Sequence, residues 1–434
     1  ALDNAEAAAT AAAGTVFPLP NDWMFSQAAM TQALFLRVIK SYRARLRANN
    51  PRFPSLAACQ AANPAEDCSK EVTATDVNWA KVVADAQGGI TTDLTIITST
   101  TTGPNMSWTN QWYSYGTWHQ MTPFLFGMAD KTGAYDAWIA TPLSTRGAGP
   151  TPFFLQTDDQ RFPQGASRAA QQADFTVGGA AGVATNPGCS VANTICKRYF
   201  RNRDGLDPAA SPSWGASQYD HVRFFSWKNS GFGSGVTGQN GPFPFFTVAE
   251  LNMLEAEGQI RLGNYPAAAA LIDKTRSTCG YGSVPAGCTL RATGNGFSLT
   301  WAPVAGGSSV TAPIGGGLPP LSGVVADGTT PVPGGAACVP KVPSNASEVG
   351  GGTVACGNIF EAMKWEKRIE EAYTAFATWY FDSRRWGDLP LNTPVHWAPP
   401  YPDLQVRLRV GPQIYSVGGG TNPTGSAARS GYGW

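Results

Sequence analysis

The sequence predicts a mainly α-helical protein with large irregular loop insertions and a few short strands. Three observations carry that prediction. Apolar residues recur at helical spacing in separated stretches: near the start, at 247–276 and at 358–381. The chain between them is rich in Gly and Pro, 49 and 33 of 434 residues, which punctuate helices rather than extend them. Eight cysteines fall in four close pairs, a spacing that suits loops stapled onto a scaffold.

The chain 1–434 reads as one domain in five parts. The first, 1–90, is helical: an Ala-rich start, a break at Pro18 and Pro20, then a helix over roughly 22–48. There Met30, Ala33, Leu34, Val38, Ile39 and Tyr42 form an apolar stripe. Arg37, Lys40, Arg43, Arg45 and Arg47 form a basic face, expected to be solvated and placed toward the helix C-terminus, where the dipole favours cations. A short helix is expected near 76–87 with Asp76 as its N-cap, ending at Gly88-Gly89. The second part, 91–245, is aromatic and loop-rich, with short strands expected at 93–98 and 221–227.

The third part, 246–278, carries the sharpest local signals. Thr247-Val-Ala-Glu250 is a capping-box pattern, in which Thr247 accepts from the Glu250 amide and Glu250 reaches back. Ala249, Met253, Ala256 and Ile260 line one face, Gly263 supplies a left-handed C-cap, and Pro266 opens a second helix to 276. This is a helical hairpin of the kind that stacks in tetratricopeptide-like arrays, although no 34-residue period repeats. The fourth part, 279–357, is a Gly/Pro-rich insert bracketed by cysteines. The fifth, 358–434, begins with the longest expected helix, 358–381, whose stripe is Ile359, Met363, Ile369, Tyr373, Phe376 and Tyr380; a tail follows.

The economical cysteine pairing is Cys59–Cys68, Cys189–Cys196, Cys279–Cys288 and Cys338–Cys356. Zinc is the competing reading, but it favours tighter knuckles completed by His, and His119, His221 and His396 lie far from these pairs. Disulfides place the chain in an oxidising compartment. No signal peptide is visible in the Ala-rich start, so if the disulfides form, a leader is expected to have been removed or to lie outside this sequence. Charged residues are only 14%, aromatic residues 11% and the net charge +1, so nothing marks a surface for nucleic acid. No apolar run is long enough for a membrane helix.

Two segments together resemble the SusD/RagB family of outer-membrane glycan-binding proteins. The first runs from Thr247-Val-Ala-Glu250 through Glu255-Ala-Glu257 to Leu262-Gly-Asn264, followed by Ile272-Asp-Lys-Thr-Arg276, where Asp273 replaces the family's usual Asn. The second is Glu366-Lys-Arg-Ile-Glu-Glu371 running into Asp382-Ser-Arg-Arg-Trp-Gly-Asp388, with the Pro-rich stretch His396–Leu404 behind it. Asn78–Ala86 adds a fainter match. The resemblance implies a tetratricopeptide-like scaffold on the surface of a Gram-negative-type bacterium. It also implies capture of oligosaccharides for a TonB-dependent transporter, with membrane attachment only through a lipid anchor or that transporter. The family's usual anchor is a lipidated N-terminal Cys, and Ala1 departs from it.

The candidate glycan-binding stretch is 105–138, with Trp108, Asn110, Trp112, Tyr113, Tyr115 and Trp118 as its residues, interleaved with Asn105, Gln111 and His119. Pyranose rings stack their C–H faces on aromatics while amides and imidazole bond the hydroxyls. The competing reading is that these rings fill gaps between loops and helices. A second candidate group is Trp214, Tyr219, Trp227 and Asn229. Catalysis is not expected. Asp158-Asp159 is an adjacent acidic pair that reads as turn formers or as ligands of a structural calcium, the one cofactor entertained. Glu366, Glu370 and Arg368 read as helix-surface or interhelical ion pairs. Gly231–Gly235 falls one residue short of a nucleophile elbow, and no phosphate loop or dinucleotide fingerprint is present. The alternative function is a secreted protein that coats polysaccharide or self-associates, with the Gly-rich tail 418–434 as a contact.

Overall fold

Four of the principal helices start on a Thr or Asn whose side chain takes up an orphan amide of the first turn. The acceptors are Thr31 for Leu34, Asn78 for Lys81, Thr247 for Glu250, and Asn358 for Phe360 and Glu361. The computed structural model describes residues 1–12, 14, 16–26, 28–62, 68–70, 72–98, 121–141, 153–175, 199–202, 217–221, 241–277, 300–301, 310–311, 321–343, 353–375, 377–388, 393–394 and 417–418. Within them the chain is mainly helical. The principal helices are α1 (Leu2–Ala11), α2 (Gln32–Asn49), α3 (Trp79–Gln87), α4 (Val248–Arg261), α5 (Tyr265–Arg276), α6 (Ile359–Glu371) and α7 (Thr378–Trp386).

Helix α4 is the hub: α3, α5, α6 and α2 all pack on it, while α1 lies on α2 and α7 on α6 and α2. Val248 through Met253 and Ala256 through Gln259 are almost entirely buried as a result. Gly258 lets α3 come close, since a Cβ there would sit 2.6 Å from a methyl of Val83. Leu251 and Leu254 join Val38, Ala44, Val82 and Ala86 in one core, while Met253 and Ala256 join Ile272, Ile359, Met363 and Trp386 in another. The hairpin turn is as the sequence predicts, with Gly263 at φ 81° and Pro266 in the first turn of α5.

Short helices and strands recur among the other described residues. Strands β1 (Leu94–Thr98) and β4 (Gly241–Phe246) pair antiparallel, as do β2 (Phe200–Asn202) and β3 (Tyr219–His221), where Phe200 faces His221. A third pair joins Lys341–Pro343 to Val354–Cys356. Val417–Gly418 pairs antiparallel with Thr393–Pro394. Helices Pro123–Gly127 and Ala134–Ala140 bring Leu125, Phe126, Tyr135 and Ile139 into a third core with Phe162 and Tyr219, which closes against Trp365 and Ile369 of α6, while helix Arg168–Phe175 packs on β2.

Several expectations are corrected. Within 91–245 the described residues include those three helices, which the sequence reading does not anticipate. The helix expected at 22–48 is two, Asn21–Met24 and α2, and α2 is the longest described. The helix expected at 358–381 breaks after Glu371 and resumes at Thr378, with Tyr373 and Ala377 left-handed at φ 60° and 57°. Asp76 does not cap α3; it closes a capping box with Thr73 on a single 3-10 turn, and Asn78 caps the helix. Glu250 does not reach back to Thr247; its carboxylate receives two 2.6 Å bonds from Arg45. The basic face of α2 is not a solvated surface. Arg43 bonds Asp3, Glu6 and Asp85, Arg47 bonds Asp85, and Arg37 bonds the Gly89 carbonyl, so the face docks α1 and α3.

Cys59–Cys68 and Cys338–Cys356 are disulfides with Cα separations of 5.9 and 5.8 Å. The first joins helix Leu56–Ala62 to the turn at Cys68–Lys70; the second spans the Lys341–Pro343 hairpin. Cys189, Cys196, Cys279 and Cys288 lie outside the described residues, as do 222–227. Among the described residues no helix is long and apolar enough to cross a membrane.

Candidate functional site

Helix α6 has apolar cores on two sides, so its charged residues are buried and must be satisfied from other elements. Lys364, Glu366, Lys367, Arg368, Glu370 and Glu371 are each at most 3% exposed. They are interhelical pairs and not a helix surface. Glu366 takes two bonds from Arg161, at 2.7 and 2.8 Å, and one from the Thr275 hydroxyl at 2.9 Å. Tyr199 donates to Glu370, Lys364 and Arg368 donate to Asp388, and Lys367 donates to Asp382. Arg385 pairs with Glu257 and Asp382, and the Trp386 indole donates to Glu257 at 3.2 Å.

Asp158 and Asp159 point apart. Asp159 is fully buried and receives Arg161 and the Trp365 indole, while Asp158 is exposed and pairs with Lys131 at 2.6 Å. They are turn formers with separate partners, since Asp159 also accepts the Arg161 amide, and they do not form one ligand pair.

The α6–α7 turn bounds a half-open cavity of about 350 Å³. That volume sits at the small end for ligand pockets, roughly 300–1,000 Å³. Its wall is Met121, Thr122, Leu125, Phe200, Glu371–Tyr373, Ala375, Ala377, Thr378 and Trp379. Each part is held from behind. The Met121 amide donates to the Tyr219 carbonyl at 2.8 Å, which sets the start of helix Pro123–Gly127. Phe200 is fixed by the β2–β3 pair, and the His221 imidazole stacks on Tyr373 with centroids 5.0 Å apart. The Trp379 indole donates to the Arg368 carbonyl at 2.8 Å. Thr374 closes the end of α6 by donating its amide and hydroxyl to the Glu371 carbonyl, both at 3.0 Å. Left-handed non-glycine residues at both ends of this turn are strained, and such strain concentrates at ligand sites.

Burial pushes the Glu371 carboxyl well above the usual carboxylate range, against the pull of Lys367, whose Nζ is 2.8 Å from Oε1. Burial also opposes the charge on Asp382, yet Lys367 and Arg385 together hold it below the usual range. The two carboxyls are therefore pushed in opposite directions: burial disfavours the charge on Glu371, while the two cations favour it on Asp382. Burial likewise raises the Tyr373 phenol, with the Asp220 charge adding to it. Among the described lining residues the wall is largely carbon, with Thr122, Tyr373 and Thr378 contributing hydroxyl-bearing side chains.

Of the residues named from sequence, Trp108, Asn110, Trp112, Tyr113, Tyr115 and Trp118 lie outside the described residues, as do Trp214, Trp227 and Asn229. Tyr219 is described and belongs to the core: it is fully buried, with its hydroxyl bonded to the Leu155 amide and to Gln171. The lining residues come from three distant stretches of chain: Met121, Thr122 and Leu125 lie within the candidate stretch 105–138 without having been singled out, and the sequence reading gave Phe200 and 371–379 no binding role. The nearest signal was positional, because Met121 and Thr122 directly continue the aromatic run that ends at Trp118. No family model, no curated protein and no solved structure matches this chain.

Proposed function

We propose that this chain is a non-catalytic, cell-surface glycan-binding protein of the SusD/RagB type that captures oligosaccharide for a TonB-dependent outer-membrane transporter. One observation carries the proposal: a cavity walled by Phe200, Tyr373 and Trp379 opens where the chain leaves the aromatic run Trp108–Trp118. Aromatic faces beside neutral donors are what a sugar requires, because its C–H face stacks and its oxygens need partners. The successive packing of α2, α3, α4 and α5 supports a tetratricopeptide-like scaffold under that site. The disulfides fit an oxidising compartment outside the cytoplasm.

A binding role without chemistry is supported by how the carboxylates are used. Glycoside hydrolysis needs two carboxyl groups flanking the bond, roughly 5–10 Å apart. Glu371 is the single acid among the described lining residues, and Glu366, Glu370 and Asp159 are committed to buried partners.

A glycan array followed by calorimetry on the intact chain tests the proposal. Micromolar-to-millimolar binding of at least one neutral oligosaccharide is expected, and a folded protein that binds none would sink it. An assembly reading stands beside this one because the Trp23 indole is 74% exposed. Light scattering distinguishes the two: oligomers that dissociate in Trp23→Ser would favour assembly.

A further inference from the structure

Helix α1 is attached to the body by charge more than by burial. Ala9 is its one buried residue, and its main neighbour is α2. Asp3 and Glu6 lie one turn apart on α1, and both accept from Nη1 of Arg43, at 2.7 and 2.5 Å. Lys40 comes within 3.6 Å of Glu6, and Arg47 within 3.9 Å of Asp3. At the other end the Gln32 side-chain amide donates to the Ala9 and Ala12 carbonyls, at 2.6 and 3.1 Å. Helix α3 shares these cations without the same dependence on them. Its Asp85 binds Arg43 and Arg47, but its Trp79, Val82 and Ala86 also pack in the core with Val38 and Ala44.

We propose that α1 is a charge-locked strap: ionic strength sets whether it lies on α2 or lets go, and Gln32 is the point it turns about. The Asp3 side chain is 74% exposed, and those of Lys40 and Glu6 are partly exposed, so their pairs lie in reach of water and are screened by salt. A helix of ten residues is too short to persist alone in water, so α1 unwinds once it leaves α2. Release changes the face beneath. With the strap down, Lys40, Arg43 and Arg47 meet three carboxylates, those of Asp3, Glu6 and Asp85. With it up, Asp85 is the one of the three that stays, and a balanced face becomes a basic one that attracts anions.

Hydrogen exchange read by mass spectrometry on the full chain, in about 0.05 M and about 1 M sodium chloride, tests this. A few exposed ion pairs together amount to roughly a tenfold change in the docking equilibrium. The α1 amides should therefore exchange about tenfold faster at high salt, while the α4 amides keep their rates. Asp3→Asn combined with Glu6→Gln should give fast exchange in α1 at both salt concentrations, with α4 again unchanged. Rates in α1 that are the same at both concentrations in the wild-type chain overturn the strap. A loss of protection shared equally by α4 also overturns it, because the whole fold would then be loosening. A double variant that keeps the wild-type rates and their salt response overturns the assignment of the lock to Asp3 and Glu6.

Discussion

Arg161 and Glu366, 205 residues apart in sequence, meet in the core through two parallel hydrogen bonds of 2.7 and 2.8 Å, with both side chains buried. The guanidinium also bonds Asp159 through Nε and Nη2, so one cation joins the loop-rich part to helix α6. Removing one partner of such a pair leaves a buried charge uncompensated. Arg161→Ala is therefore expected to cost about 3–5 kcal/mol, or to prevent folding. Urea denaturation checks this, and a loss below about 1 kcal/mol would contradict the burial described.

The pH dependence should carry the mark of Glu371. Its folded pKa lies above the ordinary 4.5, so above that pH the folded state binds more protons than the unfolded state. Its contribution to stability is thus fully present below about pH 4.5 and declines as pH rises toward the folded pKa. Glu371→Gln, which stays neutral, should flatten this decline. Denaturation midpoints of both proteins from pH 4 to 8, on the order of one reading per unit, show whether the curves converge at the acid end.

Asp327 should titrate low for a different reason. The Thr330 and Thr329 amides both donate to its carboxylate in an exposed turn, which brings its pKa down to about 2. A side-chain NMR titration should find it there, and an ordinary midpoint near 3.8 would show that the turn does not hold in solution.

How much was legible follows from where each signal lives. The α4–α5 hairpin could be read residue by residue because Thr247, Gly263 and Pro266 act on their own backbone. The break between α6 and α7 could not, since 372–377 contains no Gly or Pro and the pattern of helix formers runs on. It is enforced from outside, by the His221 ring on Tyr373 and by Thr374 closing the helix. Sequence alone leaves Glu366, Arg368 and Glu370 open between a helix surface and interhelical pairs because Asp159, Arg161, Arg276, Asp382 and Asp388 are distant in the chain. For the same reason a cavity assembled from 121–125, 200 and 371–379 had no linear signature.

The Cys338–Cys356 bridge closes a loop of 18 residues, for which chain entropy gives about 3 kcal/mol. Cys338→Ser with Cys356→Ser should lose roughly that much, with the helical circular dichroism signal retained at 20 °C. Loss of the helices together with the bridge would show that it supports the scaffold and not only the insert.

Stacking on sugar would make Trp112→Ala and Trp118→Ala each weaken binding by about 1–2 kcal/mol with little change in stability. Unchanged affinity with a large stability loss would assign both rings to packing.

The buried charges of α6 also act as a key. Glu366 and Lys367 are adjacent in the chain but engage cations and anions on different neighbours, Arg161 and Asp382. Successive helical residues are about 100° apart. A slip of one residue would therefore turn Lys367 toward Arg161 and set like charges together out of reach of water. A purely apolar helix could settle in several rotations at small penalty, whereas this one has a single seat. We expect it to take that seat late in folding, once Arg161, Arg276, Asp382 and Asp388 are in position. Mutations at these contacts would then speed unfolding far more than they slow folding, which stopped-flow kinetics on Arg161→Met would show.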